Sequence, residues 1–167
     1  MSDAAASYQK LLARAREIAL IADAGHLLSW DQETYMPPKA LGYRAEQLAF
    51  LSGWAHRLFT APEVGDWLAA CEDHGFAAES KEAANVREWR RAYDRQTKLP
   101  LELVEEFERV RTLAREAWVT ARARSEFELF RPHLEKILEL SRRMADLWGY
   151  AGSRYDALLE EYEPGST

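Results

Sequence analysis

The chain has 167 residues, 47% of them apolar and 30% charged, with a net charge of −6 from 28 acidic and 22 basic side chains. That balance fits one soluble globular domain over residues 1–167. It excludes a nucleic-acid binder, which needs clustered Lys and Arg, and a membrane protein, because no apolar run approaches the roughly 20 residues of a spanning helix.

The start "MSDAAASYQK" has no charged leader followed by an apolar core, so a cytoplasmic location is expected. From Tyr8, apolar residues recur at Leu11, Leu12, Ala15, Ile18, Ala19 and Ala22, which is helical spacing. Asp23 and His26 follow with the carboxylate–histidine spacing of a helix-borne metal site. Only one such pair exists, so a helix-face histidine near a carboxylate is expected instead.

The run "LLSWDQETYMPPKA" (27–40) then puts Asp31, Gln32, Glu33 and Thr34 directly after Trp30 and ahead of two prolines. Two readings fit. In one, the four polar side chains point into a groove. In the other, Asp31 and Thr34 bond nearby backbone where the helix ends, while Trp30, Tyr35 and Met36 plug the core beneath. A third use, Asp31 with Glu33 as an acid–base carboxylate pair, would need a closed pocket at that corner.

Leu48, Leu51, Ala55, Leu58 and Phe59 mark a second helix. Thr60-Ala61-Pro62-Glu63 reads as the start of a third, with Thr60 as cap, Pro62 in the first turn and Glu63 closing a capping box. This third helix ends near Gly75. It carries Cys71, the only cysteine, which excludes an intramolecular disulfide. Cys71 and His74 share a face at i, i+3, but nothing supplies a third catalytic residue, so Cys71 reads as a small apolar filler.

Ser80 opens a fourth helix running to about Thr97, with a thin stripe of Val86, Trp89 and Tyr93. Its basic run "REWRRAYDRQTK" (87–98) also carries Glu88 and Asp94, so it reads as a solvated face. Pro100 opens a strong fifth helix with Leu103, Phe107, Val110, Ala114, Ala117 and Ala121 on one side and Trp118 beside them. Ser125-Glu126-Phe127-Glu128 has the capping-box pattern. Leu134, Ile137, Leu138, Ser141, Met144, Ala145 and Trp148 form the next stripe, closed by Gly149, and "SRYDALLEEYEPGST" finishes the chain. No alternating run bounded by turns marks a strand. The expected fold is all-α, about six helices packed as antiparallel neighbours in a bundle-like arrangement. No H-E-x-x-H zinc motif, Gly-rich phosphate loop or G-x-S-x-G elbow occurs.

"LLSWDQETYMPP", then "RAEQLAFLSGWAHRLFTAPEVGDWL", "LPLELVEEFERVRTLAREAW", "FRPHLEKILELSRRMADLWGY" and "YDALLEEYEPG" together resemble, in order and over nearly the whole chain, the N-terminal region of the Taq-type carboxypeptidases. These are zinc metallopeptidases that remove C-terminal residues from peptides. Ser166 departs from the family's usual Met after "YEPG". The resemblance implies that zinc and catalysis belong to an H-E-x-x-H half that these 167 residues do not contain. No catalytic or metal residue is therefore assigned here, and the chain is expected to be inactive alone. It also implies a lid over one wall of a substrate groove, with Trp30, Asp31, Gln32, Glu33 and Thr34 at the groove or at a contact between subdomains. The implied partner is the catalytic half, or a second copy in a homodimer. A stand-alone interaction module derived from the lid is the alternative.

Overall fold

A computed structural model describes residues 3–166, with the side chain of His74 outside that description. Among the described residues there are seven α-helices: α1 (Asp3–Thr34), α2 (Leu41–Phe59), α3 (Pro62–His74), α4 (Lys81–Gln96), α5 (Leu101–Arg124), α6 (Arg131–Trp148) and α7 (Arg154–Leu159). Two 3₁₀ turns, Pro38–Ala40 and Phe127–Leu129, join them, and no strand is present. The count exceeds the expected six because α7 is a helix in its own right. Its capping box is built from Ser153 and Asp156.

Helix ends follow local chemistry in some places and depart from it in others. Ser80 caps α4 by accepting from the Ala83 N–H at 3.1 Å, and Gly149 closes α6 at a φ of 83° that favours glycine. Thr60, however, does not cap α3. Its hydroxyl and its N–H both donate back to the His56 carbonyl, so it ends α2. Ser125 forms no capping box either. It closes α5 in the left-handed region at φ 55°, and α6 begins only at Arg131. The second helix starts at Leu41, two turns before Leu48, where the expected stripe began.

Neighbouring helices run antiparallel. Arg14 meets Glu63 while Cys71 meets the Ala4 carbonyl, which sets α1 against α3. Glu46 meets Arg109 while Arg57 meets Glu105, which sets α2 against α5. The α2–α5 approach is close: a Cβ added at Gly53 would lie 2.7 Å from the Glu105 Cγ, so glycine makes room for that side chain.

The core falls into two clusters. Tyr8, Leu11, Val64, Leu68, Cys71 and Val86 join α1, α3 and α4, and the partly buried Trp89 and Tyr93 pack on them. The thin stripe of α4 is therefore covered. Leu99, Leu103, Leu140, Ala145, Trp148 and Ala157 join α5, α6 and α7. Helix α2 lies against both α1 and α5. The basic run of α4 is less a solvated face than a set of tethers. Arg90 binds Glu72 at 2.9 Å, Arg95 donates to the Ala157 carbonyl at 3.1 Å, and Lys98 donates to the Trp148 carbonyl at 2.8 Å.

Candidate functional site: the polar turn at the end of α1

Helix α1 does not stop at Trp30. It runs through Thr34, so Asp31, Gln32, Glu33 and Thr34 form its last turn. The turn closes with the N–H groups of Tyr35 and Met36 both donating to the Asp31 carbonyl at 2.9 Å, and with the Thr34 hydroxyl donating to the Trp30 carbonyl at 2.8 Å. Met36, Pro37 and Pro38 follow, and the second proline opens the 3₁₀ turn into α2.

Four successive helical positions point in different directions, 100° apart, and three of these side chains reach other helices. The Asp31 carboxylate accepts from Arg44 on α2 at 2.7 Å. Arg44 is buried, although it is an arginine, because each of its three guanidinium nitrogens has a partner: the Leu28 carbonyl, the Gln47 amide oxygen and Asp31. Gln32 donates to the Thr112 carbonyl of α5 at 3.4 Å, and Glu33 pairs with Arg115 of α5 at 3.0 Å. Arg115 also lies 5.4 Å from the Trp118 ring centroid, and Arg122 lies 5.7 Å from it. The turn is thus bolted to α2 on one side and to α5 on the other.

The aromatic plug does not exist. Trp30 is 58% exposed and Tyr35 76% exposed, and their rings meet edge to face at 5.6 Å on the surface. Of the apolar residues of α2, Leu48 is buried and lines a cavity beside Gln32 and Glu33.

Two cavities open beside the turn, both walled by Gln32, Glu33 and Arg115. One, about 270 Å³, extends toward Leu48, Glu108 and Thr112. The other, about 370 Å³, extends over the apolar Met36, Leu41 and Val119. The second cavity has an apolar floor under a charged wall, whereas Leu48 is the one apolar side chain lining the first. Neither suits carboxylate acid–base chemistry, because Asp31 and Glu33 each face a separate guanidinium on a different helix. A larger cavity, about 510 Å³, shares Glu108 and Arg111 with the first and extends among Phe107, Met144, Trp148 and Leu158. There the buried Trp148 Nε1 has no hydrogen-bond partner among the described residues.

The other sequence candidates are dispersed. Asp23 and His26 approach to 3.7 Å on exposed surface, and no third His, Cys, Asp or Glu joins them in a metal-holding group among the described residues. These residues do not fit a zinc site. Cys71 is buried, its thiol donates to the Ala4 carbonyl at 3.6 Å, and burial pushes its pKa up, so it is a poor thiolate. The pairing of Cys71 with the His74 side chain lies outside the described residues. Sequence reading missed Arg44, Thr112 and Arg115. Arg44 carries one usable signal: it falls on the apolar side of α2, at the spacing of Leu48 and Leu51.

No helix among the described residues is long and apolar enough to cross a membrane. Residues 10–167 match the family profile described as carboxypeptidase Taq (M32) metallopeptidase. The chain is 37% identical over 171 residues to thermostable carboxypeptidase 1 of Thermus thermophilus, covering 96% of this chain and 34% of that protein. It is 32% identical over 165 residues to thermostable carboxypeptidase 1 of Pyrococcus furiosus, covering 94% of this chain and 31% of that protein. The solved structure of BsuCP superposes with a TM-score of 0.91 at 26% identity, over 97% of this chain and 33% of that one. The chain spans about a third of the length of the relatives it matches.

Proposed function

Since the chain belongs to the carboxypeptidase Taq (M32) metallopeptidase family, we propose that it is the helical N-terminal region of a zinc metallocarboxypeptidase, an enzyme that removes C-terminal residues from peptides. In this reading the helices shape one wall of the substrate groove and do not hydrolyse peptides alone. Zinc and the water-activating base come from the rest of such an enzyme. The observation that carries the reading is the last turn of α1. A backbone turn that only needed capping would not require Asp31, Gln32 and Glu33 to reach two other helices. In this reading the contacts of the turn with α2 and α5 shape the two flanking cavities.

The test grafts this chain onto Thermus thermophilus thermostable carboxypeptidase 1 in place of its matching third. Hydrolysis of a blocked dipeptide with a free C-terminus is then followed with zinc supplied. The 167-residue chain alone is expected to be silent and the chimera active. Glu33→Gln in the chimera should lower kcat/KM about tenfold, chiefly through KM, because it loosens the groove wall and not the chemistry. Activity of the chain alone, or a Glu33→Gln chimera with unchanged kinetics, would sink the proposal.

A second reading, a stand-alone interaction or dimerisation module, is supported by the large exposed aromatics of α1 and α2. It predicts a monodisperse oligomer of the isolated chain in sedimentation, with no need of further polypeptide.

A further inference from the structure

Helix α2 is apolar on two opposite sides. Its inner side, Ala45, Leu48, Ala49 and Gly53, is buried with Arg44 and His56. Tyr43, Phe50 and Trp54, spaced by seven and four residues, form a single stripe on the opposite side. They are 72%, 58% and 40% exposed. The Phe50 and Trp54 rings already touch, with centroids 6.2 Å apart.

A solvent-facing helix in this protein looks different. The outer side of α6 carries Glu135, Glu139, Arg142, Arg143 and Asp146. A second apolar stripe, opposite the side already buried in this chain, has nothing among the described residues to cover it. Three large aromatic side chains left partly exposed in one stripe mark a surface for interaction.

The border of the stripe says what kind of surface it meets. On the α5 side, Glu46 pairs with Arg109 at 2.6 Å and Arg57 pairs with Glu105 at 3.6 Å. These charges are satisfied within the chain and need none from a partner. The partner surface is therefore apolar, inside a rim that is already neutralised.

We infer that the Tyr43–Phe50–Trp54 stripe of α2 is the seat of an apolar helix face from the remaining two thirds of an M32 peptidase chain. In solved relatives the fold seen here is about a third of a longer polypeptide, which must pack against some part of it. The inference rests on the proposed function and names which face that contact uses.

Cysteine labelling tests it. In a Cys71→Ala background, Phe50→Cys and the outward-facing control Arg142→Cys are placed in the isolated chain and in the Thermus chimera. Their maleimide reaction rates are then compared. In the isolated chain both thiols should react at similar rates. In the chimera Phe50→Cys should slow at least tenfold while Arg142→Cys keeps its rate. Equal rates for Phe50→Cys in both contexts would overturn the inference. Protection already present in the isolated chain, with a dimer in sedimentation, would also overturn it and name a second copy as the occupant. Hydrolysis by a chimera whose Phe50→Cys remains open counts against the interface alone. Protection in a chimera that folds but does not hydrolyse counts against the proposed function alone. If the chimera does not fold, the same thiol at the matching position of the full-length Thermus enzyme gives the same two answers.

Discussion

Arg44 is the residue on which the end of α1 depends. Its guanidinium is buried and holds the Leu28 carbonyl, the Gln47 side chain and Asp31 together. Removing it strands a carboxylate and a carbonyl at a largely covered site, which costs more than the ion pair contributes. Arg44→Ala should destabilise the chain by about 2–3 kcal/mol in urea unfolding. Asp31→Asn, at the more exposed end of the same pair, should cost about 1 kcal/mol or less. Equal, small effects from both would mean that Arg44 is a surface arginine in solution and that the turn is not bolted to α2. Arg44 was half-legible from sequence: its position fell on an apolar stripe, but residue type argued for the surface. Only the partners that α1 brings make its burial possible. Arg115 had no such signal, since its partner Glu33 is 82 positions away in the chain and meets it only through folding.

At the scale of the element, capping chemistry gives a sharp contrast. Ser80 holds a free N–H of α4, whereas the Thr60 hydroxyl returns to a carbonyl of its own helix. Ser80→Ala should therefore cost about 1 kcal/mol and Thr60→Ala clearly less. Ser125 sits at φ 55° with an L side chain, so Ser125→Gly should raise stability, by up to about 1 kcal/mol. Thermal or urea unfolding of the three variants checks the order, and a stabilising Ser80→Ala would contradict the cap. The two capping boxes read at Thr60 and Ser125 failed for one reason. A Ser or Thr near a helix boundary can serve the helix before it as well as the helix after it, and the sequence does not say which. At Ser153 the same pattern did form, because Gly149 had already closed the previous helix four residues earlier.

At the scale of the molecule, arginines tie helix to helix. Arg109 donates to Glu46 and holds its carboxyl below the usual range, joining α5 to α2. Glu63 is lowered first by a backbone hydrogen bond and then by Arg14, joining α3 to α1. Asp146 is lowered by Arg154, joining α6 to the start of α7. A carboxylate with a pKa lower in the folded than in the unfolded chain adds stability above its ordinary pKa, and that stability is lost as the pH falls through the lowered value. The melting temperature should therefore fall between the ordinary carboxylate range and more acidic pH. The fall should shrink in high salt, because these groups are exposed and screened. Glu46→Gln should flatten part of the acid limb. A melting curve indifferent to pH in that window would mean that these ties do not act in solution.

By itself the sequence determined that the chain is all-helical, where most helices lie, and which family it belongs to. Helical periodicity and proline or glycine boundaries are local signals, and the family resemblance ran through the whole chain. It also marked Trp30 to Thr34 as unusual. Only the tertiary structure decided what that stretch is: a last helical turn whose side chains reach α2 and α5, with Trp30 and Tyr35 outside and Arg44 inside. The physical reason is that burial and ion pairing are properties of what a residue meets. Every partner of that turn except its own backbone comes from helices that the sequence keeps from about ten to more than eighty positions away.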